Sequence, residues 1–115
     1  MNNNEKRTAF ILAAGLGTRL KELTSDRPKA LVEMNGKPLI EYVIDKLISQ
    51  NFNHFVINIH HFGDKIIDFL NDKKYQNIEI EISDERENLY LTGGAILKAL
   101  PYFSKSKAVL IHNVD

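Results

Sequence analysis

The sequence predicts an α/β fold with a mostly parallel sheet and helices on both faces. Short apolar runs alternate with segments of helical periodicity along the chain, which is the pattern of repeated strand–helix units. The run at 8–14 is almost entirely apolar, as expected of a strand that is covered on both faces. Glycine, histidine or acidic residues follow the ends of several apolar runs. Sheets of this kind bind ligands beyond the carboxyl ends of their strands, so these residues are candidates for a site.

Strands are predicted where apolar residues run together or alternate with polar ones. The run HFVINI predicts a second buried strand, whereas IEIEIS has a period of two and predicts a strand with one less buried face. The predicted strands are 8–14, 54–59, 78–83 and 107–112. A short extended piece is expected at 30–34, followed by a turn at Asn35-Gly36.

Helices are predicted from apolar spacing and from punctuating residues. Apolar residues recur at helical spacing from Leu39 to Ile48, and Pro38 suits the first position of that helix. Thr92-Gly93-Gly94 opens another helix, which Pro101 ends. The predicted helices are 18–23, 38–50, 64–70 and 95–100. The polar, Asn-rich segment 1–7 is expected to be a flexible terminus.

Composition limits the class of protein. The chain has 115 residues, of which 43% are hydrophobic and 26% charged, and this suits one modest folded domain. Lys and Arg total 15, as do Asp and Glu, so the basic excess of a nucleic-acid binder is missing. The sequence has no cysteine, which excludes disulfides and thiolate zinc sites and is compatible with the cytoplasm. No apolar run is long enough to span a membrane, and we expect a cytoplasmic protein.

A glycine-rich, basic segment follows the first predicted strand. It contains Gly15-Leu16-Gly17-Thr18-Arg19 and, further on, Arg27-Pro28-Lys29. Glycines let backbone N–H groups approach an anion closely, and a helix that starts after the loop adds its positive end. The Lys-Ser or Lys-Thr of a Walker A loop is missing, and Leu20 stands where a dinucleotide fingerprint needs its third glycine. We interpret the segment as a phosphate-binding loop of another kind; the alternative is a tight turn with a solvated arginine.

Three charged residues, two near the loop and one at the end of the last predicted strand, suggest binding of a triphosphate and a metal ion. Arg19 offers a planar fork for phosphate, and Lys29 a mobile point charge. Asp115, at the end of the last predicted strand, suits a Mg²⁺ ion that takes its other ligands from water and phosphate. Together they predict a nucleoside-triphosphate site with a metal, and an in-line displacement at phosphorus. Lys29 as a surface lysine and Asp115 as a turn cap are the structural alternatives.

Other polar residues near the strand ends have weaker interpretations. Adjacent His60 and His61 would point to opposite sides of a strand, so a shared metal is not expected; one would pack and the other edge the pocket. Residues 85–87 (Glu-Arg-Glu) are interpreted as a solvated loop. Gly93 is either part of a helix start or a point where a base or sugar approaches the backbone.

The segment ILAAGLGTRLKELTSDRPKALVEMNGKPLIEY resembles the amino-terminal signature of sugar-1-phosphate nucleotidyltransferases, G-x-G-T-R followed by P-K. The resemblance continues through VINIHHFGDKI, LTGGAILKAL and VLIHNVD. It implies a Rossmann-like fold of the nucleotide-diphospho-sugar transferase type. It also implies transfer of a nucleoside monophosphate from a triphosphate to a sugar 1-phosphate, with release of pyrophosphate.

The resemblance also implies roles for individual residues. Arg19 and Lys29 would be catalytic, with Arg19 on the triphosphate and Lys29 on the phosphate at the reacting centre. Asp115 would bind Mg²⁺. The implied nucleotide-binding residues are Leu12, Ala13, Ala14, Gly15, Gly17, Thr18 and Gly93. Residues 8–115 would form the amino-terminal, nucleotide-binding part of a longer nucleotidyltransferase domain, because the family continues beyond Asp115 with a sugar-binding half.

The resemblance leaves the base and the acceptor open. Thr92-Gly93-Gly94-Ala95 is more similar to N-acetylmuramate-1-phosphate uridylyltransferases, or to mannose- and heptose-1-phosphate guanylyltransferases, than to thymidylyltransferases. UTP and GTP are therefore the favoured donors. A phosphocholine cytidylyltransferase-like enzyme and a non-catalytic nucleotide-binding regulatory subunit are the alternatives. The expected partners are the two small substrates, without nucleic acid or membrane, and homo-oligomerisation is left open.

Overall fold

A computed structural model describes residues 6–15, 25–87, 92–103 and 106–114 of the chain. The strands of the main sheet are β1 (Lys6–Leu12), β4 (His54–Ile59), β5 (Glu79–Asp84) and β6 (Ser106–Asn113). A small hairpin is formed by β2 (Glu33–Met34) and β3 (Lys37–Pro38). The helices are α1 (Leu39–Ser49), α2 (Gly63–Lys73) and α3 (Thr92–Ala99), with short 3₁₀ helices at Lys29–Leu31 and Leu100–Phe103.

The main sheet is four-stranded, with the order β5-β4-β1-β6, and all of its neighbouring strands are parallel. The central strands β1 and β4 are the most apolar, and every residue of β4 is buried. Parallel strands need crossover connections, and the helices supply them and cover the faces of the sheet. The predicted parallel α/β architecture is confirmed.

Successive side chains of the central strands face opposite sides of the sheet and build separate cores. On one side Ala9 and Ile11 of β1 pack in a cluster with α1 and α2. On the other side Phe10 and Val56 pack with Ala95 and Ala99 of α3. This alternation follows from the period of two in a strand. It explains how helices come to lie on both faces.

The β2–β3 hairpin turns on Asn35 and Gly36, whose φ angles are +54° and +77°. Both central residues of a type I′ turn need positive φ, which asparagine and glycine tolerate best, and the predicted turn is confirmed. The extended piece expected at 30–34 is wrong in its first half, where Lys29–Leu31 forms a 3₁₀ helix. Pro38 precedes α1 in extended geometry and is not its first helical residue.

Strand β1 begins and ends two residues earlier than the predicted 8–14. At its start, the backbone N–H of Arg7 donates to the side chain of Asn53, so part of the segment expected to be a flexible terminus is ordered in the sheet. At its end, the N–H groups of Ala13 and Ala14 donate to a side chain instead of a neighbouring strand. Apolar character continues past Leu12, but the ladder of backbone hydrogen bonds does not.

Candidate functional site

The carboxyl ends of the parallel strands lie together at one edge of the sheet. The end of β1 is in register with its neighbours, because Leu12 pairs with Asn58 of β4 and with Asn113 of β6. Ile59 at the end of β4 pairs with Asp84 at the end of β5. The segments that follow the strands therefore emerge side by side, starting at residues 13, 60, 85 and 114. This is the edge where the sequence predicts a site.

Asn58 fixes the first residues beyond β1. Its side-chain oxygen accepts the backbone N–H of Ala13 at 2.6 Å and that of Ala14 at 3.0 Å. All three residues are buried. An unpaired buried N–H costs about 1–3 kcal/mol, so one amide oxygen that serves two of them holds this part of the chain firmly. Gly15 comes next and is exposed, and within the part of the chain that the structure describes no atom outside its chain neighbours lies within 4 Å of where its Cβ would be.

Glu85 completes this network from the end of β5. Its side chain is only 1% exposed, and its carboxylate accepts the side-chain N–H of Asn58 at 3.0 Å. Its backbone N–H donates to Ile59 and its carbonyl accepts from the His60 ring, at 2.8 and 2.7 Å. The interpretation of residue 85 as part of a solvated loop is therefore wrong. Arg86 and Glu87, which follow it, are exposed as expected.

The histidine pair lies in the turn after β4 and not within the strand. His60 is half-buried and donates from Nδ1 to the Glu85 carbonyl. His61 is exposed and contacts Phe62 with 4.1 Å between ring centroids and the rings tilted by 46°. One histidine therefore packs and the other is open to solvent. Phe62 has a φ of +57°, which a bulky residue rarely adopts, and it begins the turn into α2.

The segment that carries Lys29 is held at the same edge by α2. The ammonium of Lys65, in the first turn of α2, donates to the backbone carbonyl of Asp26. Arg27 pairs with the Asp26 carboxylate at 3.0 Å, and this hydrogen bond lowers the pKa of Asp26. Lys29 is half-buried in the short 3₁₀ helix that follows and has an electrostatic or polar contact of its own.

A cavity of about 230 Å³ opens beside this segment. Two basic side chains and one carboxylate share its wall with apolar groups. The lining residues are Arg27, Leu31, Glu33, Pro38, Lys65 and Phe69. The cavity therefore lies next to Lys29 in sequence and reaches the start of α2.

Gly93 is the second residue of α3 and is exposed. Among the described residues, no atom beyond its neighbours lies within 4 Å of where its Cβ would be. Four of the predicted site residues, Gly17, Thr18, Arg19 and Asp115, lie outside the described residues. Of the predicted residues that the structure describes, Leu12 to Gly15 end β1 at the carboxyl edge, and Lys29 is on the segment tied to α2.

A second polar cluster lies at the opposite, amino edge of the sheet. His54 Nε2 donates to the Glu81 carboxylate at 2.7 Å, and its Nδ1 lies 2.7 Å from the Thr8 hydroxyl. Glu79 pairs with Lys6 at 2.9 Å. The ligand atoms of His54, Glu79 and Glu81 lie within 4.8 Å of one another, which a metal could use. Since ion pairs and hydrogen bonds already engage these groups, we interpret the cluster as structural.

A parallel sheet with a glycine just beyond the carboxyl end of a central strand is an arrangement found in nucleotide-binding α/β proteins. A family model described as nucleotidyl transferase matches residues 8–115. The chain therefore belongs to the nucleotidyl transferase family, and the family expected from the sequence is confirmed. Among the residues that the structure describes, no helix has both the length and the hydrophobicity needed to cross a membrane.

Individual relatives act with different bases. The chain is 42% identical over 109 residues to the N-acetylmuramate alpha-1-phosphate uridylyltransferase of Caulobacter vibrioides, covering 93% of this chain and 45% of that protein. It is 34% identical over 102 residues to the D-glycero-alpha-D-manno-heptose 1-phosphate guanylyltransferase of Campylobacter jejuni, covering 89% and 45%. A choline-phosphate cytidylyltransferase of Streptococcus pneumoniae is 48% identical over a shorter stretch of 65 residues, covering 56% and 28%.

The fold agrees with a solved structure of the same kind. HddC from Yersinia pseudotuberculosis, complexed with GMP-PN, matches with a TM-score of 0.78 and 34% identity, covering 94% of this chain and 47% of that one. The nucleotide-diphospho-sugar transferase type of fold is confirmed. The chain spans less than half the length of these relatives.

Proposed function

We propose that the protein is a nucleotidyltransferase that moves a nucleoside monophosphate from UTP or GTP to a sugar 1-phosphate and releases pyrophosphate. The observation that carries this proposal is the chain just after β1, where Asn58 holds Ala13 and Ala14 at the carboxyl edge of the sheet, in a chain that matches the family over 8–115. Two relatives that match over 93% and 89% of the chain are named as a uridylyltransferase and a guanylyltransferase for sugar 1-phosphates. Nucleoside triphosphates are cytoplasmic metabolites, so we place the reaction in the cytoplasm.

The proposed reaction is an in-line displacement at the α-phosphorus. A phosphate oxygen of the sugar 1-phosphate attacks, the bond to the β-phosphate oxygen breaks, and pyrophosphate leaves with the electron pair. Lys29 would neutralise charge at the reacting phosphate, and Arg19 would bind the triphosphate as a fork. Such chemistry needs positioning and charge neutralisation, and no covalent intermediate on the protein.

Two backbone N–H groups at the start of the loop are already engaged within the protein. The N–H groups of Ala13 and Ala14 point to Asn58, so they are not available to phosphate in this conformation. We infer that these residues present carbonyl oxygens to the donor groups of a base or sugar, and that Gly15 and the residues after it supply N–H groups to phosphate. Leu12 and Gly93 remain proposed contacts of the nucleotide because of the family resemblance.

Asp115 fits a role as ligand of Mg²⁺ by its chemistry and its place in the chain. It follows Val114, which is buried just beyond β6, and β6 ends beside β1. Mg²⁺ takes one or two carboxylates and completes its shell with water and phosphate oxygens. When bound, the ion would neutralise charge on the triphosphate. We propose this role for Asp115 because it offers the carboxylate that such an ion requires and follows β6 directly in the sequence.

A thermal-shift panel of UTP, GTP, CTP, dTTP and ATP, each with and without Mg²⁺, tests the nucleotide half of the proposal. A ligand at a hundred times its dissociation constant stabilises the fold by about 2.7 kcal/mol, which is a readable shift. We expect UTP or GTP to give the largest shift, and Mg²⁺ to increase it. A largest shift with CTP would favour the cytidylyltransferase alternative. No shift with any nucleotide would contradict the proposal.

Two substitutions test the catalytic half. Lys29→Ala should lower turnover at least a hundredfold while nucleotide binding falls far less, because the lysine acts on the reacting phosphate. Asp115→Ala should abolish Mg²⁺-dependent turnover. The matched controls are Lys46→Ala and Asp72→Ala, which remove exposed charges of the same kind from α1 and α2. Wild-type rates in both site variants would show that the site is wrongly assigned, and a protein that binds nucleotide without turnover would favour the regulatory-subunit alternative.

A further inference from the structure

A buried amide–carboxylate pair underlies the candidate nucleotide loop. Asn58 and Glu85 are 3% and 1% exposed, and their side chains meet in a hydrogen bond of 3.0 Å. Buried side chains of these types are uncommon in a sheet core unless their hydrogen bonds are met. Neither residue belongs to the hydrophobic clusters on the two faces of the sheet, so their polar contacts are what distinguishes them.

The orientation of the Asn58 amide is set from both sides. Its oxygen faces two N–H donors, those of Ala13 and Ala14, and its nitrogen faces an acceptor, the Glu85 carboxylate. A flipped amide would place N–H against N–H and oxygen against oxygen. Glu85 therefore specifies which end of Asn58 reaches the loop.

Glu85 is itself fixed by contacts on the neighbouring strand. Its backbone N–H donates a hydrogen bond to the Ile59 carbonyl at the end of β4, and its own carbonyl accepts one from the His60 ring. The Glu85 backbone is thus anchored to the end of β4, and its side chain extends from this anchored point to Asn58. A rigid supporting shell of this kind is what holds a binding backbone within a fraction of an ångström of its productive geometry.

We propose that Asn58 and Glu85 form a positioning pair that sets the backbone at Ala13 and Ala14 for nucleotide binding. This inference rests on the proposed function. Neither side chain needs to touch the nucleotide. Asn58 holds both N–H groups inward, which turns the intervening carbonyl outward, and Glu85 keeps Asn58 in the orientation that does so. The pair acts on the donor nucleotide and leaves the sugar-phosphate half of the reaction alone.

The test is a swap of the pair. Asn58→Asp keeps an acceptor for the loop but turns a second carboxylate towards Glu85, whereas the double variant Asn58→Asp/Glu85→Gln restores a donor–acceptor contact with its direction reversed. At pH 8 we expect Asn58→Asp to weaken binding of the best nucleotide of the panel at least tenfold. The double variant should bind at least fivefold more tightly than Asn58→Asp alone. The KM for the nucleotide should follow these changes, and the KM for the sugar 1-phosphate should not.

Thr8→Val is the matched control. It breaks the buried Thr8–His54 contact at the opposite edge of the same strand, so it costs stability without touching the pair. We expect its nucleotide affinity to stay within twofold of wild type. If Thr8→Val lost as much affinity as Asn58→Asp at a similar loss of stability, the pair would be merely structural and the inference overturned.

Amide hydrogen exchange at Ala13 and Ala14 separates this inference from the proposed function. We expect exchange at these two amides to be at least tenfold faster in Asn58→Asp and to slow again in the double variant, with or without nucleotide. If the wild type bound no nucleotide, the proposed function would fail while this arm still tested the pair. If Asn58→Asp did not fold, a folded double variant with unprotected Ala13 and Ala14 amides would overturn the inference, and protected amides would support it.

Discussion

Tyr75 carries a hydroxyl that is buried and has no hydrogen-bond partner among the described residues. Burial raises the pKa of Tyr75 above its usual value, and the negative charges of Asp45 and Glu41 add to the effect. A buried hydroxyl without a partner has given up its hydrogen bonds to water without replacement. The ring contributes to packing, whereas the hydroxyl opposes folding.

Tyr75→Phe should therefore raise the free energy of unfolding by about 1 kcal/mol, because it removes the unsatisfied group and keeps the ring. Tyr42→Phe is the matched control, since the Tyr42 hydroxyl donates to the Met34 carbonyl at 2.6 Å and its loss should cost about 1 kcal/mol. Urea denaturation of both variants measures the difference. Equal losses of stability would contradict the interpretation of Tyr75.

The same residue predicts a response to alkaline pH. Because the pKa in the folded protein lies above the ordinary value of about 10, the folded state keeps the phenol proton where the unfolded state has lost it. The stability present below pH 10 should therefore fall as the pH rises further. Tyr75→Phe should show a smaller decline, measured as the midpoint of urea denaturation between pH 9 and 11.

At the scale of residues, the sequence indicates one member of the positioning pair, Asn58, but not the other, Glu85. Asn58 lies between two isoleucines in HFVINI, and a buried amide in an apolar strand indicates a hydrogen-bond partner. Glu85 lies among charged residues and gave no such sign, because its burial depends on β4 and β5 ending side by side. The burial of Glu85 is therefore set by tertiary contacts, which the local sequence does not reveal.

At the scale of elements, the glycines near the helix starts differ in their surroundings. A Cβ on Gly63, where α2 begins, would lie 2.9 Å from Ile59 Cδ1 and 3.0 Å from its Cβ. The branched side chain of Ile59 is fixed in β4, so it cannot easily move away. A Cβ on Gly93 in α3 would meet nothing within 4 Å.

Gly63→Ala should lower the free energy of unfolding by about 1–3 kcal/mol, because the methyl group overpacks the junction of β4 and α2. Gly93→Ala should raise it by up to about 1 kcal/mol, since alanine favours a helix. Thermal denaturation of the two variants gives this comparison. Gly93→Ala should also weaken nucleotide binding if the backbone there contacts the nucleoside, and unchanged binding would remove Gly93 from the proposed site.

Element boundaries were predictable where hydrophobicity and hydrogen bonding end together. Strand β4 spans His54–Ile59 as predicted, because its apolar run and its ladder both stop at the turn. Helix α2 extends to Lys73, beyond the predicted 70, since its last turn is polar and has no apolar spacing to reveal it. In β1 the ladder stops at Leu12 while the apolar run continues, and only the position of Asn58 explains why.

At the scale of the molecule, β6 forms one side of the sheet, with β1 on one flank and no described strand on the other. Leu110 and Ile111 on this strand are 41% and 44% exposed. Adjacent residues of a strand point to opposite faces of the sheet, so β6 exposes apolar side chains on both faces. A long, apolar edge strand is a template for pairing with another chain. The overall parallel order was predictable from alternating elements, but which strand would lie at the edge was not, since the sequence does not reveal strand order.

Leu110→Lys should slow concentration-dependent aggregation of this chain, because a charge on an edge strand opposes pairing. Leu97→Lys is the control: Leu97 is more exposed, at 68%, but lies on α3, where no strand edge is available. Light scattering at increasing protein concentration measures both. If the two lysines protected equally, general surface hydrophobicity and not the strand edge would be responsible.

The two ends of the sheet differ in their contacts, and this difference affects which substitutions the fold can accept. At the amino end, Lys6–Glu79 and Thr8–His54–Glu81 link β1, β4 and β5 side by side. Sites that share no partners contribute to stability almost independently. Substitutions in the loops of the carboxyl end should therefore leave the strands in register, because the contacts of the opposite end are unaffected. With the nucleotide at the carboxyl end, as proposed, such a scaffold would accept loops for different bases, and the relatives include uridylyl-, guanylyl- and cytidylyltransferases.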